Sequence, residues 1–113
     1  MADEISFDDF LKVDIRAGTI LSARDNEKAR NPAYVLEVDF GPDFGVKTTS
    51  AQITEEHTKE DLVGMQVLAV TNFPSKRVAG VKSEVLTLAT MEDSGRTVLI
   101  TPSKPVPNGT RLL

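Results

Sequence analysis

In the stretch Tyr34-Val35-Leu36-Glu37-Val38-Asp39-Phe40-Gly41-Pro42-Asp43-Phe44-Gly45, the side chains of Tyr34, Leu36, Val38 and Phe40 form an apolar face of period two. Val35, Glu37 and Asp39 lie opposite. That period belongs to a strand with one buried face. The Gly-Pro-Asp cluster after it has turn composition, so Val46 to Ile53 is the returning strand. It carries Thr48, Thr49, Ser50 and Gln52, which makes it rich in polar groups.

Upstream, Val13, Ile15 and Ala17 alternate with Asp14 and Arg16. After Gly18 the phase slips, with Ile20 and Leu21 apolar together, which predicts a bulge or a strongly coiled strand running to about Ala23. Arg24 to Asn31 is polar, ends at Pro32 and reads as a loop. Ser6 followed by Asp9 is a helix N-cap pattern, and Phe7, Phe10 and Leu11 share one helical face. The spacing predicts about one turn of helix, packed as a lid.

Downstream, Thr58 to Gly64 reads as a short capped helix ending in Gly. Met65 to Thr71 is a buried strand, Asn72 to Ser83 a loop and Glu84 to Met91 a strand. Glu92-Asp93-Ser94-Gly95 is a hairpin turn before a strand from Arg96 to Thr101. The tail to Leu113 holds Pro102, Pro105 and Pro107 and is too Pro-rich for a central strand. Five main strands with a helix between the third and fourth is the order of an OB-fold, a five-stranded Greek-key barrel. An SH3-like or other small β-barrel gives nearly the same pattern.

At 113 residues the chain, 1–113, is expected to be one all-β domain with one modest core. Its composition is globular, with 40% hydrophobic and 27% charged residues. No apolar run reaches the roughly 20 residues of a membrane span. The acidic N-terminus is not a signal peptide. The lack of cysteine excludes disulfides and thiolate chemistry and fits a cytoplasmic location. Thirteen basic against seventeen acidic residues give a net charge of −4. A uniformly basic nucleic-acid binder is thereby excluded, and a locally basic face is not.

Nothing in the sequence points to an enzyme, a cofactor or a metal. There is no phosphate-cradling glycine motif, and the carboxylates are spread along the chain. The one histidine, His57, sits in an acidic stretch and reads as exposed beside a helix. Arg16, if buried, needs a carboxylate partner. The segment from Asn72 to Ser83 carries Lys76, Arg77 and Lys82, no acid, and Phe73 next to Pro74. Such a loop can grip a phosphate backbone and stack a base. It can equally hold an extended peptide, or simply be solvated with Phe73 plugging the barrel end.

Phe7-x-x-Phe10-x-Lys12-Val13-Asp14-Ile15-Arg16-x-Gly18-x-Ile20 resembles the opening of the tRNA-binding domain superfamily. Val38-Asp39-x-Gly41, Ser50-Ala51-Gln52-Ile53 and Leu62-x-Gly64-x-x-Val67 continue the match across the chain. The run from Asn72 to Leu86 and the tail Pro105-Val106-Pro107-Asn108-Gly109-Thr110 are similar to its CsaA branch. Ala79 stands where synthetase-type domains carry a second Arg, and Val85-Leu86 replaces their Gly-Met.

The resemblance implies a homodimeric, ATP-independent chaperone for unfolded or presecretory polypeptides. It also implies an association with the preprotein translocase ATPase, SecA. The polypeptide site is expected at Ser50, Gln52, Asn72, Phe73, Arg77, Ser83 and Glu84. The dimer interface is expected at Phe7, Phe10, Leu11, Val106 and Pro107. The alternative is a tRNA or structured-RNA binder using Lys12, Lys47, Lys76, Arg77 and Lys82.

Overall fold

Tyr34, Leu36, Val38 and Phe40 all lie in the hydrophobic core of the computed structural model, which describes residues 2–113. Around them the chain forms α1 (Phe7–Leu11), β1 (Ile15–Asp25), β2 (Tyr34–Asp39), β3 (Val46–Ala51), α2 (Lys59–Leu62) and β4 (Gln66–Val70). There follow β5 (Lys76–Val78), β6 (Val81–Ser83), β7 (Leu86–Thr87), β8 (Ala89–Met91) and β9 (Thr97–Leu99). The main sheet is antiparallel, in the order β3-β2-β1-β4-β7. It curls so that β3 meets β6 and β7, giving a nearly closed barrel of OB type, with α2 between the third and fourth strands.

The curl comes from β1. Its register with β2 shifts between Ile20 and Ser22, leaving Leu21 as an extra, half-exposed residue. Gly18 lies just before the slip. A Cβ there would come within 2.7 Å of Val38 and 2.8 Å of the Phe40 ring, so only glycine lets β1 cross the core this closely. Leu62 of α2 is fully buried in the same core.

The hydroxyl-rich β3 closes the barrel. Thr49 is buried, and its hydroxyl donates to the Val85 carbonyl at 2.9 Å. The Ser50 N–H donates to the Ser83 hydroxyl at 3.3 Å, and the Thr48 N–H to the Glu84 carboxylate at 3.1 Å. The Glu84 N–H returns to the Thr48 carbonyl at 2.8 Å. Side chains therefore carry most of a seam that a strand ladder would otherwise make.

Several sequence expectations need correction. The segment read as a loop contains the hairpin β5–β6, turned by Ala79 (φ 47°) and Gly80 (φ 82°). The strand expected from Glu84 to Met91 is broken at Leu88. That residue donates to Leu68 and accepts from Ile100, where the chain passes from pairing with β4 to pairing with β9. Val35, on the polar side of β2, is buried too. His57 is half-buried rather than exposed. Its Nε2 accepts the Leu99 N–H at 3.3 Å, and its carbonyl accepts the Tyr34 hydroxyl at 2.8 Å. The capped helix α1 forms with its full capping box, but only Phe10 is half-buried and none of its residues is fully buried, so within this chain it is no lid. The tail runs along the N-terminal half of β1, bonding Gly109, Thr110 and Leu112 to Ala17 and Ile15.

Candidate functional site

Beside the β3–β6 seam lies a groove of about 360 Å3. Phe73, Pro74, Val78, Val85 and Leu86 give it an apolar lining, and Ser50, Lys76, Ser83 and Glu84 supply its polar groups. Phe73 is 52% exposed and Leu86 50%. Two apolar side chains this open, lining one concavity, form a solvent-facing apolar surface of the kind that contact sites use. Among the described residues the one ionic neighbour of Glu84 is Lys47, at 3.9 Å.

The structure brings Ser50, Phe73, Ser83 and Glu84 of the expected polypeptide site together here. It does not bring the other three. Gln52 lines a separate depression with Pro32 and Met91. Arg77 lies on the opposite face of the β5–β6 ribbon, its guanidinium donating to the Gly80 carbonyl at 3.1 Å. Asn72 is engaged at both ends of its amide. Its Oδ1 accepts the Asp14 N–H at 2.9 Å, and its Nδ2 donates to the Lys12 carbonyl at 2.8 Å. It ties the entry of β1 to the exit of β4. Pro74, Val78, Val85 and Leu86 were missed. Reading Lys76 to Ser83 as a hairpin would have found Val78, which shares a ribbon face with Lys76 and Ser83.

Next to Asn72 is a charged knot. Asp14 meets Arg16 Nε at 3.0 Å and Arg111 Nε at 3.1 Å, and accepts the Thr71 hydroxyl. Arg16 also donates to the Gly109 carbonyl at 3.0 Å and stacks over the Phe44 ring at 4.5 Å. Arg111 donates to the Leu11 carbonyl at 2.7 Å, joining the tail to α1. Partial burial pushes the Asp14 carboxyl up. The Thr71 and Arg16 hydrogen bonds and the two guanidinium charges outweigh that and hold it below the usual carboxylate range.

The residues proposed for RNA are scattered. Lys12 pairs with Asp9 at 3.1 Å near α1, and Lys47 sits at the seam. Lys76, Arg77 and Lys82 stand exposed on the ribbon, and among the described residues none has a carboxylate within 4.0 Å. Of the expected dimer residues, Phe7 and Leu11 are open to solvent, at 67% and 39%. Phe7 and Phe10 form a tilted ring pair with centroids 6.1 Å apart. Val106 is half-buried, its main chain clamped by both ends of the Gln66 amide, and Pro107 is exposed.

The family model described as "Putative tRNA binding domain" matches residues 15–111. The chain belongs to the tRNA-binding domain family. Within it the chain is of CsaA type. It is 49% identical to the chaperone CsaA of Bacillus anthracis, with a TM-score of 0.92 over 98% of this chain and 100% of that one. The Picrophilus torridus CsaA chaperone is 40% identical, with a TM-score of 0.89 over 97% and 100%. A Flavobacterium johnsoniae methionine–tRNA ligase is 39% identical over 95% of this chain. The chain spans only 15% of that ligase's length. Among the described residues, no helix is long and apolar enough to cross a membrane.

Proposed function

We propose that this protein is an ATP-independent chaperone that holds unfolded or presecretory polypeptides in an extended form. The observation that carries this reading is the apolar groove at Phe73 and Leu86, open to solvent and bordered by Ser50, Ser83 and Glu84. An unfolded chain supplies apolar side chains for such a surface and main-chain groups for the polar border. The sequence carries no nucleotide-binding motif, which fits a binder without an ATP cycle. The CsaA neighbours are chaperones by name.

A homodimer is part of the same reading. Ile5, Phe7, Leu11 and Leu112 are all more than a third exposed, and Arg111 ties α1 to the tail. A second copy covering this surface would place two grooves on one particle, which holds a flexible client better than one. Handover to the translocase ATPase SecA, in the cytoplasm, completes the reading.

The test is binding of an unfolded presecretory polypeptide and of bulk tRNA, each at low and high salt. Polypeptide binding should survive added salt and fall about tenfold in Phe73→Ser, an exposed change that leaves the fold intact. One observation favours the alternative RNA reading, namely the three unpaired cations on the ribbon in a tRNA-binding family. Tight tRNA binding with a steep salt slope and no polypeptide binding would establish that reading instead.

A further inference from the structure

The β5–β6 ribbon is a sheet of its own: β6 packs beside β3, whereas β5 pairs with β6 alone among the described residues. Its register pairs Lys76 with Ser83, Arg77 with Lys82 and Val78 with Val81. Val78 and Val81 flank the two-residue turn, so they form a hydrogen-bonded pair, and Arg77 and Lys82 form the next, non-hydrogen-bonded pair. Two consequences follow. The Arg77 N–H and C=O point away from β6 into solvent. Among the described residues no main-chain bond reaches Ser75 or Arg77 from another segment, and residues 72–77 are all exposed. The edge of β5 is therefore an open ladder beginning beside the groove.

The second consequence concerns charge. Side chains approach most closely in a non-hydrogen-bonded pair, and like charges directly opposite destabilise a sheet. Arg77 and Lys82 are held in that arrangement, and among the described residues neither has a carboxylate within 4.0 Å. On the other face, Lys76, Val78 and Ser83 line the apolar groove. A strand laid along β5 would send alternate side chains to these two different environments.

We infer that the preferred occupant is an acidic, alternating polypeptide segment that adds as a strand to the free edge of β5. It sets carboxylates on Arg77 and Lys82 and apolar side chains in the groove at Phe73, Val78 and Leu86. This inference rests on the polypeptide-binding reading and adds to it a binding mode and a sequence pattern. A nucleic acid has phosphates for the two cations but no N–H and C=O ladder for the edge. The open main chain is what favours a polypeptide.

The experiment uses labelled, capped peptides alternating valine with glutamate or valine with lysine, at concentrations where each is monomeric. The glutamate peptide should bind at least about tenfold tighter. The double variant Arg77→Glu, Lys82→Glu should invert that order while melting like the parent protein. Of two glutamate peptides N-methylated on opposite sets of alternate amides, one should bind like the parent peptide and the other lose about tenfold or more. Binding that ignores peptide charge, or is equal for all methylation patterns, overturns the inference. If an unfolded presecretory chain then still binds and Phe73→Ser still weakens it, the chaperone reading survives alone. If only tRNA binds, and the double variant abolishes it, both fail.

Discussion

The chain holds two groups of cations that the fold treats in opposite ways. At the Asp14 knot, Arg16 and Arg111 converge on one carboxylate and on three further acceptors or faces, the Gly109 and Leu11 carbonyls and the Phe44 ring. On the β5–β6 ribbon, Lys76, Arg77 and Lys82 are exposed, and two of them oppose each other. The first group is consumed in joining β1, β4, α1 and the tail. The second makes no ion pair within 4.0 Å among the described residues, and in the proposed reading it meets a partner. Charge alone does not separate structural from binding residues, whereas what each charge already touches does.

The sharpest way to break this contrast is Asp14→Ala. It leaves the partly buried Arg16 and the more exposed Arg111 without their carboxylate and should cost about 2 kcal/mol, read by urea denaturation. Acid should do the same gradually. The folded Asp14 carboxyl lies below its unfolded value, so its stabilisation is complete above the unfolded value of about 3.9 and is lost as pH falls through the lower folded one. An Asp14→Asn variant should lose that part of the acid dependence. Next in size is Asn72→Ala, which releases the Asp14 N–H and the Lys12 carbonyl and should cost about 1 kcal/mol. A melting temperature unchanged by that variant would return Asn72 to the list of free contact residues.

The smallest effects belong to the ribbon. Ala79 sits at positive φ, where Asn is better tolerated, so Ala79→Asn should gain about 0.5 kcal/mol in thermal melts without altering client binding. Arg77→Ala and Lys82→Ala should each move stability by less than about 0.5 kcal/mol, and in the stabilising direction if the like-charge opposition matters. A loss of several degrees from either would mean that the ribbon cations hold the fold together after all.

The barrel was legible because its signals are local. The face of β2, the phase slip after Gly18, the Ser6 and Thr58 caps and the Gly41–Gly45 turn each reside in a few consecutive residues. The ribbon was not legible because Lys-Arg-Val-Ala-Gly-Val-Lys lacks the Asn-Gly or Asp-Gly that marks a type I′ turn, and Ala79 fills the first left-handed position. The site was half legible. Ser50, Ser83, Glu84 and Phe73 meet as their placement suggested. The role of Asn72 depends on Lys12 and Asp14, nearly sixty residues away, and no spacing rule conveys that.

The β3–β6 seam sets where the molecule opens first. Thr48, Thr49 and Ser50 cross it through hydroxyls and one carboxylate, with a single main-chain bond from Glu84, whereas Tyr34 to Asp39 is laddered on both sides. In solvent deuterium, the Thr48 and Ser50 amides should exchange well before those of β2, as the first local opening of the barrel. Because the groove lies along this seam, an occupant would span it, and slowed exchange at Ser50 would mark the moment a client is seated.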